Sequence, residues 1–151
     1  MYREDLPLLI VEDSPEDLET IVRLLSRLPF CPPLIACADG DEALDYLFRT
    51  GRYAAPGGNG RPALILLDLN LPGTDGREVL AEIKADAALR VTPVVILTTS
   101  DNPRDIHTCY LRGASSYLVK SLDLEVFAHT LRLFVEYWFG VNLLPVPQSP
   151  R

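Results

Sequence analysis

Acidic side chains follow two separate apolar runs in the chain. The run Leu8–Val11 leads into Glu12 and Asp13, and the run 63–67 leads into Asp68. Short apolar runs of this kind are typical of strands buried on both faces of a parallel sheet. Carboxylates gathered at one place bind a hard divalent cation such as Mg²⁺, and a bound cation can bridge a carboxylate to an incoming phosphoryl group.

A hydroxyl and a lysine follow two further apolar runs. The run 93–97 leads into Thr98, and the run 115–119 leads into Lys120. Parallel strands end at one edge of a sheet, so these side chains are predicted to meet the acids there. Asp68 holds the central position, and we predict that it is a nucleophile forming an aspartyl phosphate. The Thr98 hydroxyl and the Lys120 ammonium would then hold phosphoryl oxygens.

Strand and helix patterns alternate five times along the chain. This alternation predicts an α/β fold, a doubly wound five-stranded parallel sheet with helices on both faces and right-handed crossovers. In the strand order 2-1-3-4-5, the order reverses between strands one and three, where ligands bind in such sheets. The predicted strands are 6–11, 34–38, 63–67, 93–98 and 115–119. The predicted helices begin near Pro15, Asp39, Asp75, Pro103 and Leu122, and the last runs to about Phe139.

Composition excludes several classes of protein. The 151 residues are 48% hydrophobic and 23% charged, which suits one ordinary domain and is not a disordered composition. The net charge of -7 argues against nucleic acid as a direct partner. We find no signal peptide and no apolar stretch long enough for a bilayer, so no membrane association is expected. Cys31, Cys37 and Cys109 are scattered and odd in number, and we expect them to be reduced in a cytoplasmic protein.

Taken together, these motifs resemble the receiver domain of two-component response regulators. The resemblance extends from about Leu6 to Phe139 and implies the flavodoxin-like (βα)5 fold. It rests on Glu12-Asp13, Asp68 with the following Leu71-Pro72-Gly73 and Asp75-Gly76, Thr98, Tyr117 and Lys120.

The resemblance implies roles for the acidic residues. Asp68 would accept a phosphoryl group from a sensor histidine kinase. The cofactor would be Mg²⁺ (or Mn²⁺), bound by Asp13, Asp68 and the backbone carbonyl of Asn70, with Glu12 acting through water.

The resemblance also implies a switch. The Thr98 hydroxyl would move toward the phosphoryl group, the Tyr117 ring would turn into the vacated space, and Lys120 would pair with the phosphoryl group. One residue departs from the family pattern, because Ser121 stands where proline with a cis bond is usual. A cis bond to a non-proline residue costs about 2.5–4 kcal/mol, so we expect either a trans bond with a shifted loop or a strained cis bond.

The domain organisation follows from the same resemblance. Residues 1–140 are expected to be the receiver domain and residues 141–151 a C-terminal extension, with no output domain. A signal would then pass through altered protein–protein association. The glycine-rich and proline-rich segment 51–62, the run Thr98-Thr99-Ser100 and the aromatic C-terminal extension resemble the stand-alone regulators that partner bacterial phytochromes. The expected kinase is therefore a bacteriophytochrome.

The last helix carries a wide apolar surface that allows two interpretations. Its central stripe is Phe127, Leu131, Phe134 and Trp138. One interpretation is a homodimer interface formed by helix 4, strand 5 and helix 5. The other is a longer helix whose tail folds back over the core. His107 and His129 lie on the last two helices and are expected to be surface or interface residues, not catalytic ones.

Three rival functions remain to be weighed. A haloacid-dehalogenase-like phosphatase needs a second Asp two residues after its nucleophile, and that position is Asn70. A flavin-binding module needs a phosphate loop after the first strand, where Glu12-Asp13 would repel phosphate. A receiver-like adaptor that is never phosphorylated is the third. We therefore expect a phosphoacceptor with at most autophosphatase activity, not an enzyme.

Overall fold

A five-stranded parallel sheet forms the centre of the protein. The computed structural model describes residues 5–55 and 60–147. The strand order is β2-β1-β3-β4-β5, with every neighbouring pair parallel, so the predicted fold class is confirmed. The strands are β1 Leu8–Val11, β2 Leu34–Cys37, β3 Leu64–Leu67, β4 Val94–Thr98 and β5 Ser116–Val119.

Five α-helices alternate with the strands. They are α1 Pro15–Ser26, α2 Gly40–Phe48, α3 Gly76–Ala85, α4 Pro103–Leu111 and α5 Leu124–Val135. Each begins after a residue whose side chain accepts a hydrogen bond from an N–H of the first turn, which replaces a bond that the helix cannot supply itself. These residues are Ser14, Asp39, Asp75, Asn102 and Asp123.

The strands alternate their side chains between two cores. On one face, Leu9 and Ile65 pack with α2, α3 and Cys109 of α4. On the other face, Ile10 and Leu66 pack with α1 and α5. β1, β3 and β4 are buried along their whole length, which explains why their sequences are continuously apolar. The site at their carboxyl ends is therefore built on rigid elements.

Helix α5 corrects one prediction. Phe127, Leu131 and Phe134 are buried in the core beneath the sheet, so placing them at a dimer interface was wrong. Trp138 is half-buried and packs against the same core. The helix turns its central stripe toward the sheet because a continuous apolar stripe at helical spacing is buried first against the domain's own sheet. The apolar residues that α5 and its extension leave exposed are Leu124, Val126, Leu133, Tyr137 and Val141.

The described segment after α5 continues the helix and returns to the core. A π-helical turn, Glu136–Val141, follows α5 directly. Phe139 is buried and its ring lies 6.1 Å from that of Phe30, while Leu144 packs against the same core. The alternative of a longer helix with a tail folded over the core is thus confirmed.

Part of the long segment before β3 packs against α2. It contains a short 3₁₀ helix, Gly51–Tyr53, and Tyr53 meets Tyr46 edge-on at 5.1 Å between ring centroids. The Tyr46 hydroxyl donates to the Gly60 carbonyl at 3.0 Å. The predicted loop 51–62 includes residues 56–59, which lie outside the described residues.

The two leucines at positions 131 and 133 provide a matched test of this packing. Leu131→Ala should lower the free energy of unfolding by about 2–5 kcal/mol, because it leaves a cavity in the core. Leu133→Ala, at a side chain 48% exposed, should change it by only about 0.5 kcal/mol. Urea unfolding of both variants measures the difference, and equal losses would contradict the assigned orientation of α5.

Candidate functional site

The pairing of β1 with β3 brings the acidic residues together. Val11 lies opposite Leu67, and the Asp68 N–H donates to the Val11 carbonyl at 3.1 Å. Glu12, Asp13 and Asp68 each place a carboxylate oxygen within 4.8 Å of the others. Glu12 and Asp68 are buried and Asp13 is exposed. The predicted acidic cluster therefore exists at the point where strand order reverses.

Lys120 extends from the end of β5 across the sheet edge to this cluster. Its Nζ lies 3.0 Å from Asp68 Oδ2 and 3.1 Å from Asp17 Oδ2, and it also pairs with Glu12. An ammonium has three N–H donors, and three carboxylates occupy them here. The Lys120 backbone N–H donates to the Thr98 carbonyl at 2.7 Å, which fixes the start of the side chain.

Burial and pairing set the charges of the cluster. Burial raises the pKa of Glu12 to about 7, although hydrogen bonds from Lys120 and the Ser14 N–H oppose the shift. Burial also lowers the pKa of Lys120, but hydrogen bonds to Glu12 and Asp68 outweigh burial and raise it above its usual value. Lys120 is therefore protonated at neutral pH, and among the described residues it is the one cation that pairs with these carboxylates.

The donor set fits a hard divalent cation. Glu12, Asp13 and Asp68 offer only carboxylate oxygens, and a single ammonium leaves them with excess negative charge. Mg²⁺ and Mn²⁺ prefer oxygen ligands and relieve repulsion of this kind. The Asn70 N–H donates to Asp68 Oδ1 at 3.4 Å, so the loop after β3 lies beside the same carboxylate.

Thr98 contributes an unused hydroxyl. The residue ends β4 and is fully buried, and its Oγ1 has no hydrogen-bond partner in the part of the chain that the structure describes. Leaving a buried hydroxyl unsatisfied costs about 1–3 kcal/mol. The hydroxyl can therefore donate to an oxygen that a ligand brings into the site.

Tyr117 lies on the neighbouring strand and contacts the loop after Thr98. Its hydroxyl donates to the Ser100 carbonyl at 2.9 Å. The ring is half-buried and packs against the core on the α2, α3 and α4 side of the sheet. Thr98 and Tyr117 are thus linked through a loop of two residues.

Close backbone packing holds Asp68 in place. A Cβ on Gly76 would lie 2.1 Å from the Asp68 carbonyl oxygen, so any other residue here would displace the backbone of the acid. The Gly76 N–H donates to the Leu69 carbonyl at 2.9 Å. The start of α3 therefore supports the strand end that carries Asp68.

The bond that joins Lys120 to Ser121 is trans, since the described residues contain no cis peptide bond. The strained cis alternative was therefore wrong. Lys120 still reaches Asp68, while the Ser121 hydroxyl oxygen accepts from the Asp123 N–H at 3.1 Å at the start of α5.

Sequence reasoning missed several polar residues around the site. Asp17 lies in the first turn of α1 and is the third carboxylate that pairs with the Lys120 ammonium. Its partner Lys120 lies 103 positions away along the chain, so no local pattern marked Asp17. Arg77 Nη2 lies 3.0 Å from Asp105 Oδ1, and the Ser100 hydroxyl donates to Asp105 Oδ2 at 2.6 Å. No pattern along the sequence connects these three residues, because they meet only in the folded protein.

Residues 8–132 match the response regulator receiver domain family. The chain therefore belongs to this family, whose members are signalling proteins of two-component systems. This membership confirms the resemblance to receiver domains.

Three similar proteins cover nearly the whole chain. The probable methanogenesis regulatory protein FilR2 of Methanothrix harundinacea is 41% identical over 93% of this chain and 88% of its own. The response regulator Rcp1 of Synechocystis is 40% identical over 91% and 92%. The phosphorylated cyanobacterial phytochrome response regulator RcpA superposes with a TM-score of 0.86 at 40% identity, over 93% and 99%. The Mn²⁺-bound form of Rcp1 superposes with a TM-score of 0.86 at 39% identity, also over 93% and 99%.

Among the described residues, no helix is both long enough and apolar enough to cross a bilayer.

The raised pKa of Glu12 predicts a specific pH dependence of stability. Between its unfolded value of 4.5 and its folded value of about 7, the folded protein holds a proton that the unfolded chain releases. Without a metal, the free energy of unfolding should therefore fall as pH rises through this window, by an amount on the order of 2 kcal/mol, and then level off.

Glu12→Gln should remove this fall in the free energy of unfolding. Glu16→Gln, at an exposed carboxylate, is the control. Urea unfolding with a chelator at several pH values measures both, and parallel profiles for Glu12→Gln and wild type would refute the assignment.

Proposed function

We propose that this chain is a response regulator that accepts a phosphoryl group from a sensor histidine kinase on Asp68. The observation that carries the proposal is the 3.0 Å contact of Lys120 with Asp68 inside a cluster of three carboxylates. A buried carboxylate held by a cation at a strand end is positioned to act as a nucleophile.

The transfer would exchange one bond to phosphorus for another. An Asp68 carboxylate oxygen attacks the phosphorus atom while the bond from phosphorus to the kinase histidine breaks and the histidine nitrogen keeps the electron pair. Lys120 neutralises charge on the phosphoryl oxygens. Mg²⁺ (or Mn²⁺) would be held by Asp13, Asp68 and the Asn70 carbonyl, with Glu12 acting through water. The ion would supply further charge neutralisation.

Thr98 and Tyr117 would convert this chemistry into a conformational change. The buried Thr98 hydroxyl lacks a partner and would donate to a phosphoryl oxygen. Movement of Thr98 shifts the loop at Ser100, to which the Tyr117 hydroxyl is bonded. The Tyr117 ring would then settle into the space that Thr98 leaves.

The proposed kinase is a bacteriophytochrome. The support is the likeness to RcpA, described as a cyanobacterial phytochrome response regulator, at 40% identity over 93% of this chain. The bacteriophytochrome response regulator AtBRR is a further relative, 37% identical over 97% of this chain with a TM-score of 0.70. Both similarities extend past the receiver match into the segment after α5.

The proposed output is association with a second copy through α4, β5 and α5. Three of the four residues first assigned to this interface are buried. The residues that would contact the second copy are therefore the exposed Leu124, Val126, Leu133 and Tyr137. A groove of about 370 Å³ separates β5 from the end of α5. Its lining includes Leu118, Thr130, Leu133, Tyr137 and Trp138. The domain division at residue 140 and a cytoplasmic location remain part of this proposal.

Phosphorylation of Asp68 can be tested directly. Incubation with Mg²⁺ and acetyl phosphate should raise the intact mass of the wild type by one phosphoryl group, because Asp68 forms an acyl phosphate. Asp68→Asn should not be modified, and Asp13→Asn should be modified much more slowly because the cation is held less well.

A matched control separates the site from the surface. Asp101→Asn changes an exposed acid in the loop between β4 and α4 and should react like the wild type. An unmodified wild type that also fails to bind beryllofluoride would favour the adaptor alternative.

Self-association has its own test. Leu133→Asp should weaken the dimer by about tenfold or more, since a charge on an apolar interface is left desolvated. Val91→Asp changes an equally exposed apolar residue just before the amino-terminal end of β4 and should leave the dimer intact. Sedimentation measures the dimer constant with and without beryllofluoride. Equal effects of the two variants would place the contact elsewhere.

A further inference from the structure

A polar network joins α3 to α4 beside the proposed site. The Arg77 guanidinium pairs with Asp105 at 3.0 Å and with Asp75 at 3.2 Å. The Ser100 hydroxyl donates to the second oxygen of Asp105 at 2.6 Å. Arg77, Asp105 and Ser100 therefore form a continuous chain, which we call the α3–α4 clamp.

The clamp ends on the loop that follows Thr98. Ser100 lies two residues after Thr98, and its hydroxyl oxygen also accepts from the Asn102 N–H at 3.3 Å. Its carbonyl accepts from the Tyr117 hydroxyl at 2.9 Å. One residue thus connects the clamp to both members of the proposed switch.

The other end of the clamp lies against the backbone of Asp68. Arg77 directly follows Gly76, whose Cα packs onto the Asp68 carbonyl and whose N–H bonds the Leu69 carbonyl. The side chain of Arg77 is less than one-third exposed. The clamp therefore connects the loop after β4 to the end of β3, which carries the proposed phosphoacceptor Asp68.

The charges of the clamp are stable at neutral pH. Hydrogen bonds from Ser100 and Arg77 hold the pKa of Asp105 below its usual range. Charge-assisted hydrogen bonds are stronger and more directional than neutral ones, so Asp105 can fix Ser100 in one place.

We propose that Arg77 and Asp105 are positioning residues that hold the Thr98–Ser100 loop, so that Thr98 and Tyr117 respond together to a group on Asp68. The inference rests on the proposed function of Asp68. Without the clamp, the loop samples more conformations, and placing the Thr98 hydroxyl costs conformational entropy. Ligand capture itself remains with Asp68, Lys120 and the acids, and among the described residues no ion pair joins them to Arg77 or Asp105.

The experiment follows Tyr117 in the full chain with beryllofluoride and Mg²⁺. The protein is labelled with 3-fluorotyrosine, and the Tyr117 ¹⁹F resonance is assigned from Tyr117→Phe. Arg77→Met and Asp105→Asn should each reduce the ligand-induced shift of that resonance by about half or more, while changing beryllofluoride affinity by less than about threefold. The double variant should resemble either single variant, because the two residues act as one unit.

Two controls define the interpretation. Arg104→Met removes an exposed arginine from the first turn of α4 and should leave the Tyr117 response intact. Arg77→Lys retains a cation and should restore part of the response. Should Arg77→Met fail to fold, Asp105→Asn still decides the matter, since it keeps the size of the side chain.

The outcomes separate this inference from the function on which it rests. A Tyr117 response equal to wild type in both variants would overturn the clamp, and so would a loss of affinity that parallels the loss of response. A wild type that binds no beryllofluoride would instead overturn the proposed function of Asp68.

Discussion

The contact of one ammonium with buried carboxylates is the interaction on which the arrangement of this protein depends. Lys120 stands at the end of β5, and its partners Glu12 and Asp68 stand at the ends of β1 and β3. Buried charges are tolerated only when they are paired and hydrogen-bonded. The sheet must therefore place β5 so that a long side chain can pass over the end of β4. Lys120 alone among the described residues pairs with these acids, and the remaining negative charge is what makes the site fit for a divalent metal ion.

The rest of the fold keeps that contact rigid. β1, β3 and β4 are buried along their whole length, so their carboxyl ends cannot shift without moving two cores. Gly76 lets the backbone of α3 approach Asp68 closely, and the backbone of Lys120 is bonded to Thr98. Side chains held by strand ends are placed more precisely than those on free loops.

The strand-end acids, Thr98 and Lys120 could be predicted because a buried strand and the polar residue after it are both visible in the sequence. The orientation of α5 could not, since periodicity identifies an apolar stripe but not what covers it. The stripe of Phe127, Leu131 and Phe134 covers the sheet, and the wider apolar surface belongs to Leu133 and Tyr137. Asp17 and Asp105 escaped for another reason. Their partners lie 103 and 28 positions away along the chain, and only the fold brings them together.

The two sides of the site differ in how well their hydrogen bonds are satisfied, and this difference would give the proposed switch its direction. Around Lys120, every donor has an acceptor. At Thr98, a buried hydroxyl has none among the described residues. A group added to Asp68 can keep the first set of contacts and supply the missing acceptor to the second, so the favourable change falls on Thr98. Because Ser100 joins the loop after β4 to both Tyr117 and Asp105, that change would be carried to α4 and β5 and away from the acids that would hold the ion.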